Sequence, residues 1–340
     1  MFDGLDVFGV LATMGDLVFG KKDKDKEEKQ IYHSQEVKPM TYRFRPRTLD
    51  EYIGQERAKE LVRLNLQKIM TIKPVHILIS GTQGTGKSTL AYIIANHLSY
   101  KIFTYIGGSF TMENLWTFLE ESGKTIFPTI LFIDEIHGLP KEMAEFMYPL
   151  LEDFLLPIGN MKIKPFIFIG ATTEKNTLQK KFSPLIDRCG CQINLEHYNP
   201  EDIKKILKQY NDQTYKEIIP EEVYNILCVN TRFNPRNSIA LFDDWIVCRD
   251  INKVLQAHRI VKQGLTTDDI IVLRHIIDLG NKPIGVEVLS IITQQTKQDY
   301  MTLQEPFLIQ QGFLSRTSRG RILTSKGEQI VRSLDKEINA

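Results

Sequence analysis

The chain has 340 residues, 42% of them hydrophobic, and carries 43 Lys+Arg against 42 Asp+Glu. That apolar content suits two or three packed domains and excludes a disordered or fibrous chain. The charge balance excludes a generally basic body, so any grip on nucleic acid must come from local clusters. The four cysteines, Cys189, Cys191, Cys228 and Cys248, show neither the spacing of a zinc site nor the density of a secreted scaffold, so they read as reduced thiols of a cytoplasmic protein.

No apolar run reaches the roughly 18 residues of a membrane span, and no signal-peptide pattern opens the chain, so no membrane association is expected. In chain order, "MFDGLDVFGVLATMGDLVFG" comes first, followed by the mixed-charge run "KKDKDKEEKQ". Residues 1–40 read as an extension with a solvated linker. The apolar Phe2, Val7, Phe8, Leu11 and Val18 also suit a short docking peptide, since leaving them exposed costs free energy.

From residue 41 to 198, strand-like runs ("HILIS", "TILFIDE", "FIFIGATT") alternate with helical stretches such as "TLAYIIANHL" and "EMAEFMYPLLEDF". This alternation predicts a parallel, doubly wound α/β sheet. After Tyr198 the strand signals stop, and "PEDIKKILKQYNDQ", "PEEVYNILCVN" and "NSIALFDDWIVCRDI" predict a small helical domain over 199–264. From 265 to 340, three helical stretches closed by a hairpin around Arg319-Gly320 predict a winged helix. Nine Lys+Arg balance nine Asp+Glu in this last part, yet Arg316, Arg319, Arg321 and Lys326 crowd into one turn with no carboxylate before Glu328. A solvated face is one reading; phosphate contacts by Arg316, Arg319 and Arg321 are the other.

"GTQGTGKST" fits G-x-x-x-x-G-K-[ST] between a strand and a helix. Gly81, Gly84 and Gly86 let backbone N–H groups of the loop, including those of Thr85 and Thr89, wrap phosphates of ATP. Lys87 reaches the β and γ phosphates, and the Ser88 hydroxyl is a magnesium ligand. An apolar strand, "TILFIDE", delivers Asp134 and Glu135 47 residues after Lys87. In a nucleotide hydrolase the first acid holds Mg2+ and the second activates water. His137 reads as structural. A cation that stabilises spreading phosphoryl charge has two candidates, Arg188 in "SPLIDRCG" and Arg236 in "NPRNS"; either is also readable as a surface charge.

Together these segments resemble an AAA+ P-loop ATPase of the RuvB family, the Holliday-junction branch-migration motors. The likeness runs from "YRFRPRTLDEYIGQ" to about Ile330, through "ILFIDEIH", "MYPLLEDF", "IGATT", "PLIDRCG", "EHYNPEDI" and "NPRNSIALF" to "EPFLIQQGFLSRTSRGRI". The resemblance implies an AAA+ domain, a helical lid and a C-terminal winged helix. It also implies Thr173 as sensor 1, Arg188 as a finger inserted into the neighbouring subunit's site, Arg236 as sensor 2, and Tyr52, Ile53 and Tyr198 near the adenine. A finger acting in trans implies a homo-oligomer, by family likeness a hexameric ring on double-stranded DNA at four-way junctions.

The chain departs from the family pattern at several points. Thr82 and Gln83 stand where prolines are usual, Ile186 where a further arginine is usual, and Cys189 where phenylalanine is usual; the stretch from Thr173 to Arg188 is slightly long. "EDFLLPIGNMKIKPFIF" is shorter than the family's hairpin, the part that docks the junction-recognising partner RuvA. A RuvA-type adaptor is therefore one expectation and a different adaptor another. The functional expectation is an ATP-dependent DNA motor for recombination and repair; the alternatives are an AAA+ loader or remodeller and an ATP-controlled winged-helix regulator.

Overall fold

A computed structural model describes residues 45–71, 73–159 and 161–338, so the docking-peptide reading of residues 1–40 lies outside it. The described residues form two compact units: those up to 52, 56–81 and 87–195 in the first, and 53–55, 82–86 and those from 196 onward in the second.

The first unit is built on five strands: β1 (Ile77–Ser80), β2 (Lys101–Ile106), β3 (Thr129–Asp134), β4 (Ile167–Thr172) and β5 (Cys191–Asn194). They pair in parallel in the order β2-β3-β4-β1-β5. Around them lie α1 (Glu56–Thr71), α2 (Lys87–Leu98), α3 (Met112–Lys124), α4 (Lys141–Glu152) and α5 (Lys175–Asp187). The central strands read as continuous apolar runs because both faces of the sheet are covered. In β3, Leu131 and Ile133 enter one core cluster while Ile130 and Phe132 enter the other, as strand alternation requires. The edge strand β2 is half-buried or exposed along its whole length.

His76 precedes β1 in the middle of this sheet. It is 5% exposed, its Nδ1 accepts from the Phe168 N–H (3.0 Å), and its Nε2 therefore donates to the Leu151 carbonyl (2.8 Å). Both bonds suit the neutral ring, and burial lowers its pKa to about 4. Cys189 and Cys191 are buried free thiols, pushed up to about 12 and about 11 by burial, so they stay protonated.

The second unit begins with helices α6 (Pro200–Thr214), α7 (Glu221–Asn230), α8 (Pro235–Cys248) and α9 (Ile251–Ala257). Asn199 and Asn234 cap α6 and α8, each followed by a proline whose missing N–H costs nothing at that position. A hairpin that the sequence did not announce, β6 (Ile260–Lys262) and β7 (Leu265–Thr266), leads into α10 (Thr267–Asp278), which starts on a Thr266–Asp269 capping box. Next come α11 (Val286–Ile292), α12 (Lys297–Asp299), a π turn over Tyr300–Gln304 and α13 (Glu305–Gln310). The sequence suggests one continuous helix here. The helical run over 297–310 is indeed unbroken, and its π turn lies immediately before Pro306, where the missing N–H removes one i→i−4 bond. The hairpin β8 (Leu314–Thr317) and β9 (Gly320–Leu323) and then α14 (Ser325–Ile338) complete the winged helix around Leu273, Leu289, Tyr300, Leu308 and Phe313. Among the described residues, no helix is long and apolar enough to cross a membrane.

Candidate active site

In the first unit, the C-terminal ends of the central strands bring the predicted acids together with the start of α2. Ser88 Oγ donates to Asp134 Oδ2 at 2.7 Å, and Lys87 Nζ donates to the Gly81 carbonyl at 3.0 Å. Thr89 follows in the first turn of α2, and Tyr52 is buried at 3% exposure. Glu135 leaves β3 in the left-handed region (φ 48, ψ 49), an unfavoured backbone for a non-glycine residue. Its Oε2 is aimed at Thr173, which donates from its N–H (3.2 Å) and from Oγ1 (2.9 Å). His137 Nδ1 lies 3.3 Å from that Oε2 and 3.1 Å from Thr172 Oγ1, so it braces the acid.

Arg188 ends α5 with its guanidinium held at home. Nε donates to the Tyr148 carbonyl (3.1 Å), one Nη to the Pro184 carbonyl (2.7 Å) and the other to Glu152 (2.5 Å), with the Tyr148 ring centre 5.0 Å away. Three of its five donors are thus used and the group is fixed in direction.

In the second unit, Gly84 (φ 80) and Gly86 (φ 97) have the positive φ that a backbone anion cradle needs, and Thr85 ties the loop by donating to the Thr82 carbonyl (2.8 Å). Tyr198 Oη donates to the Thr85 carbonyl (3.2 Å), and a Cβ on Gly54 would stand 3.2 Å from its ring. Tyr198 therefore joins the Ile53-Gly54 turn to the phosphate loop. Arg236 lies exposed in the first turn of α8.

The basic turn divides. Arg316 and Arg319 are exposed, but Arg321 is only 6% exposed and grips Glu305 through Nε (2.7 Å) and Nη2 (2.9 Å). The expectation of three equivalent surface cations is corrected on this point. Arg316 and Arg321 are paired across the hairpin, yet β9 also bridges to Ile284 on its other side, so β9 is the inner strand and β8 the edge. Lys326 donates to the Gln311 carbonyl at 2.7 Å.

Comparison with known proteins agrees with this architecture. The family description "Holliday junction DNA helicase RuvB P-loop domain" fits residues 44–195, and "RuvB C-terminal winged helix domain" fits residues 262–332. The Holliday junction branch migration complex subunit RuvB of Mycoplasma genitalium is 30% identical over 302 residues, covering 84% of this chain and 96% of its own. The chain belongs to the RuvB family. The RuvB subunit of Acholeplasma laidlawii is 32% identical over 305 residues, covering 83% and 89%. The solved structure of Thermotoga maritima RuvB, described as a Holliday junction branch migration motor, superposes with a TM-score of 0.70 at 31% identity, over 85% of this chain and 98% of that one.

Within this RuvB frame, three features escaped sequence reasoning. Asn234 Nδ2 donates to the Gln83 carbonyl (2.9 Å), and its side chain fills the space a Cβ on Gly84 would need. Glu152 and Tyr148 position Arg188, and Glu305 claims Arg321. Only Asn234 carried a local signal, a cap residue before Pro235.

Proposed function

We propose that this chain is an ATP-driven DNA motor that moves branch points of four-way junctions, working as a homo-oligomeric ring on duplex DNA in the cytoplasm. The observation that carries this reading is the Ser88–Asp134 contact beside a Glu135 oriented by Thr173, in a chain of the RuvB family. A hydroxyl and a carboxylate oxygen side by side fit a hard divalent cation, and among the described residues no three-ligand His/Cys/Asp/Glu cluster exists that would take the metal without phosphates. Ser88 and Asp134 would hold Mg2+, which supplies charge neutralisation on the phosphates of ATP.

The chain's own residues account for the remaining roles. The 81–89 loop binds the phosphates, with Lys87 on the β and γ groups. Glu135 keeps Oε2 on Thr173 and uses Oε1 to take the proton of the attacking water. Arg236 contacts the γ phosphate of its own subunit, while Arg188, aimed by Tyr148 and Glu152, serves the neighbouring subunit's site. Tyr52, Ile53 and Tyr198 border the adenine. Arg316 and Arg319 hold DNA phosphates, which positions the wing without specifying sequence. The short segment 152–168 leaves two adaptors open, a RuvA-type protein and a different partner, and the assay with and without a RuvA-type protein separates them.

The test is ATP hydrolysis and branch migration on a synthetic four-way junction, with and without a RuvA-type protein. The intact chain should migrate the branch point only with hydrolysable ATP. Glu135→Gln should bind ATP normally while turnover falls by about 100-fold or more. Normal turnover in that variant, or a junction that never moves, would end this reading.

A further inference from the structure

The second unit contains contacts that run from the phosphate loop to the wing and that ATP chemistry does not itself use. Asn234 lies at one end, donating to the Gln83 carbonyl, while its Oδ1 accepts the Arg236 N–H (3.0 Å) and would stand 2.2 Å from a Cβ on Gly84. A shift of the loop cannot leave Asn234 in place, and Asn234 in turn sets the start of α8. The two residues before it, Arg232 and Phe233, both have φ of 54, two successive non-glycine residues in the left-handed region.

Such a turn persists only where its surroundings over-determine it, and Arg232 shows how. Its Nε donates to the Gly264 carbonyl (3.1 Å), and Nη2 donates to Thr266 Oγ1 (3.3 Å) and to Asp269 Oδ2 (2.5 Å). Its guanidinium carbon lies 4.6 Å from the centre of the Phe307 ring. Asp269 is fully buried, and the same oxygen caps α10 through Thr266. Phe307 lies two residues beyond Glu305, which grips Arg321 in the inner wing strand. The packing has no slack: a Cβ on Gly264 would meet Phe307 at 3.1 Å and Arg232 Cγ at 3.4 Å. On the other side, Ser238 Oγ ties the turn to α8, bonding Thr231 Oγ1 (2.7 Å) and the Asn234 carbonyl (2.8 Å).

We propose that Arg232 is a positioning residue that couples nucleotide state at the phosphate loop to the winged helix, acting through Asp269 and Phe307. This rests on the motor reading above. A strained turn tied to the loop at one end and to a buried carboxylate at the other passes a displacement on as a unit, because a close-packed interior does not deform smoothly. Coupling of this kind is a free-energy difference between sites and is measured as one.

The experiment compares the full-length chain with Arg232→Lys, which keeps the charge but loses the fork, and with the doubly neutral Arg232→Gln/Asp269→Asn. Basal ATPase, ATPase at saturating duplex DNA, DNA affinity and branch-migration rate are read for each. Basal ATPase and DNA affinity should stay within about twofold, while stimulation at saturating DNA falls by about fivefold or more and migration stops. Stimulation unchanged at saturating DNA in both variants overturns the proposal. So does loss of DNA binding in both, since Arg232 would then only hold the winged helix together. An intact chain that shows no DNA stimulation and no migration sinks the motor reading instead, which keeps the two failures distinct.

Discussion

The polar side chains at the end of β3 and those beneath the wing are both hydrogen-bonded, but their exposure differs. Ser88, Asp134, Glu135 and Thr173 bond one another while remaining partly open, so a phosphate, a metal ion or a water can take up their remaining valences. Arg321 and Glu305 are 6% and 3% exposed and hold each other through two bonds. Burial alone does not decide the role, since Lys87 is also only 6% exposed. What makes Arg321 framework is that a buried carboxylate already takes two of its donors, so removing one partner leaves a buried charge uncompensated.

The sharpest way to break this comparison is Arg321→Ala. With Glu305 stranded, the winged helix should lose about 3–5 kcal/mol, read as a lower denaturant midpoint of the C-terminal transition. Removing Arg316 and Arg319 together should cost less than about 1 kcal/mol, as exposed charges do. Equal stabilities for the two variants would mean that the buried pair is not framework.

A second test contrasts that buried ion pair with the buried neutral group in the parallel sheet. His76 has a folded pKa depressed to about 4 from an ordinary 6.5. The unfolded chain therefore takes up a proton below about pH 6.5 that the folded chain refuses until about pH 4. Stability from His76 is full above about pH 6.5 and falls as pH drops through that window, by about 3 kcal/mol in all. Denaturant unfolding at about pH 7 and about pH 4.5 should show this loss in the intact chain and a smaller one in His76→Gln. A variant with an unchanged pH slope would place the acid sensitivity elsewhere.

The same contrast explains what could be read from the sequence. The phosphate loop, the two acids and the strands of the parallel sheet were legible because their chemistry is local: glycines at turn positions, acids at the end of an apolar run, β-rich stretches buried on both faces. The fate of Arg321 was not, because it depends on a bridge from β9 to Ile284, far earlier in the chain, and on Glu305 beyond the π turn. Nor were the left-handed backbone of Glu135 and the paired left-handed residues Arg232 and Phe233, since no residue type there signals positive φ. Arg188 was singled out only by its likeness to the family's finger segment, and its three anchors come from α4 and α5 through packing alone.

The smallest expected effect on stability tests the proposed DNA contacts most directly. Arg316 and Arg319 are the exposed cations of the wing hairpin, and each phosphate contact releases counterions, so log affinity falls with log salt by about 0.9 per contact. Arg316→Ala/Arg319→Ala should therefore weaken binding to any duplex sequence alike and reduce the salt slope by about 1.8, with basal ATPase retained. Arg321→Lys complements it: it keeps a charge but loses the two-pronged grip on Glu305, so any loss of affinity should come with loss of wing stability. If the double variant keeps the full salt slope while Arg321→Lys loses it without destabilisation, the assignment of contact and framework within the basic turn is reversed.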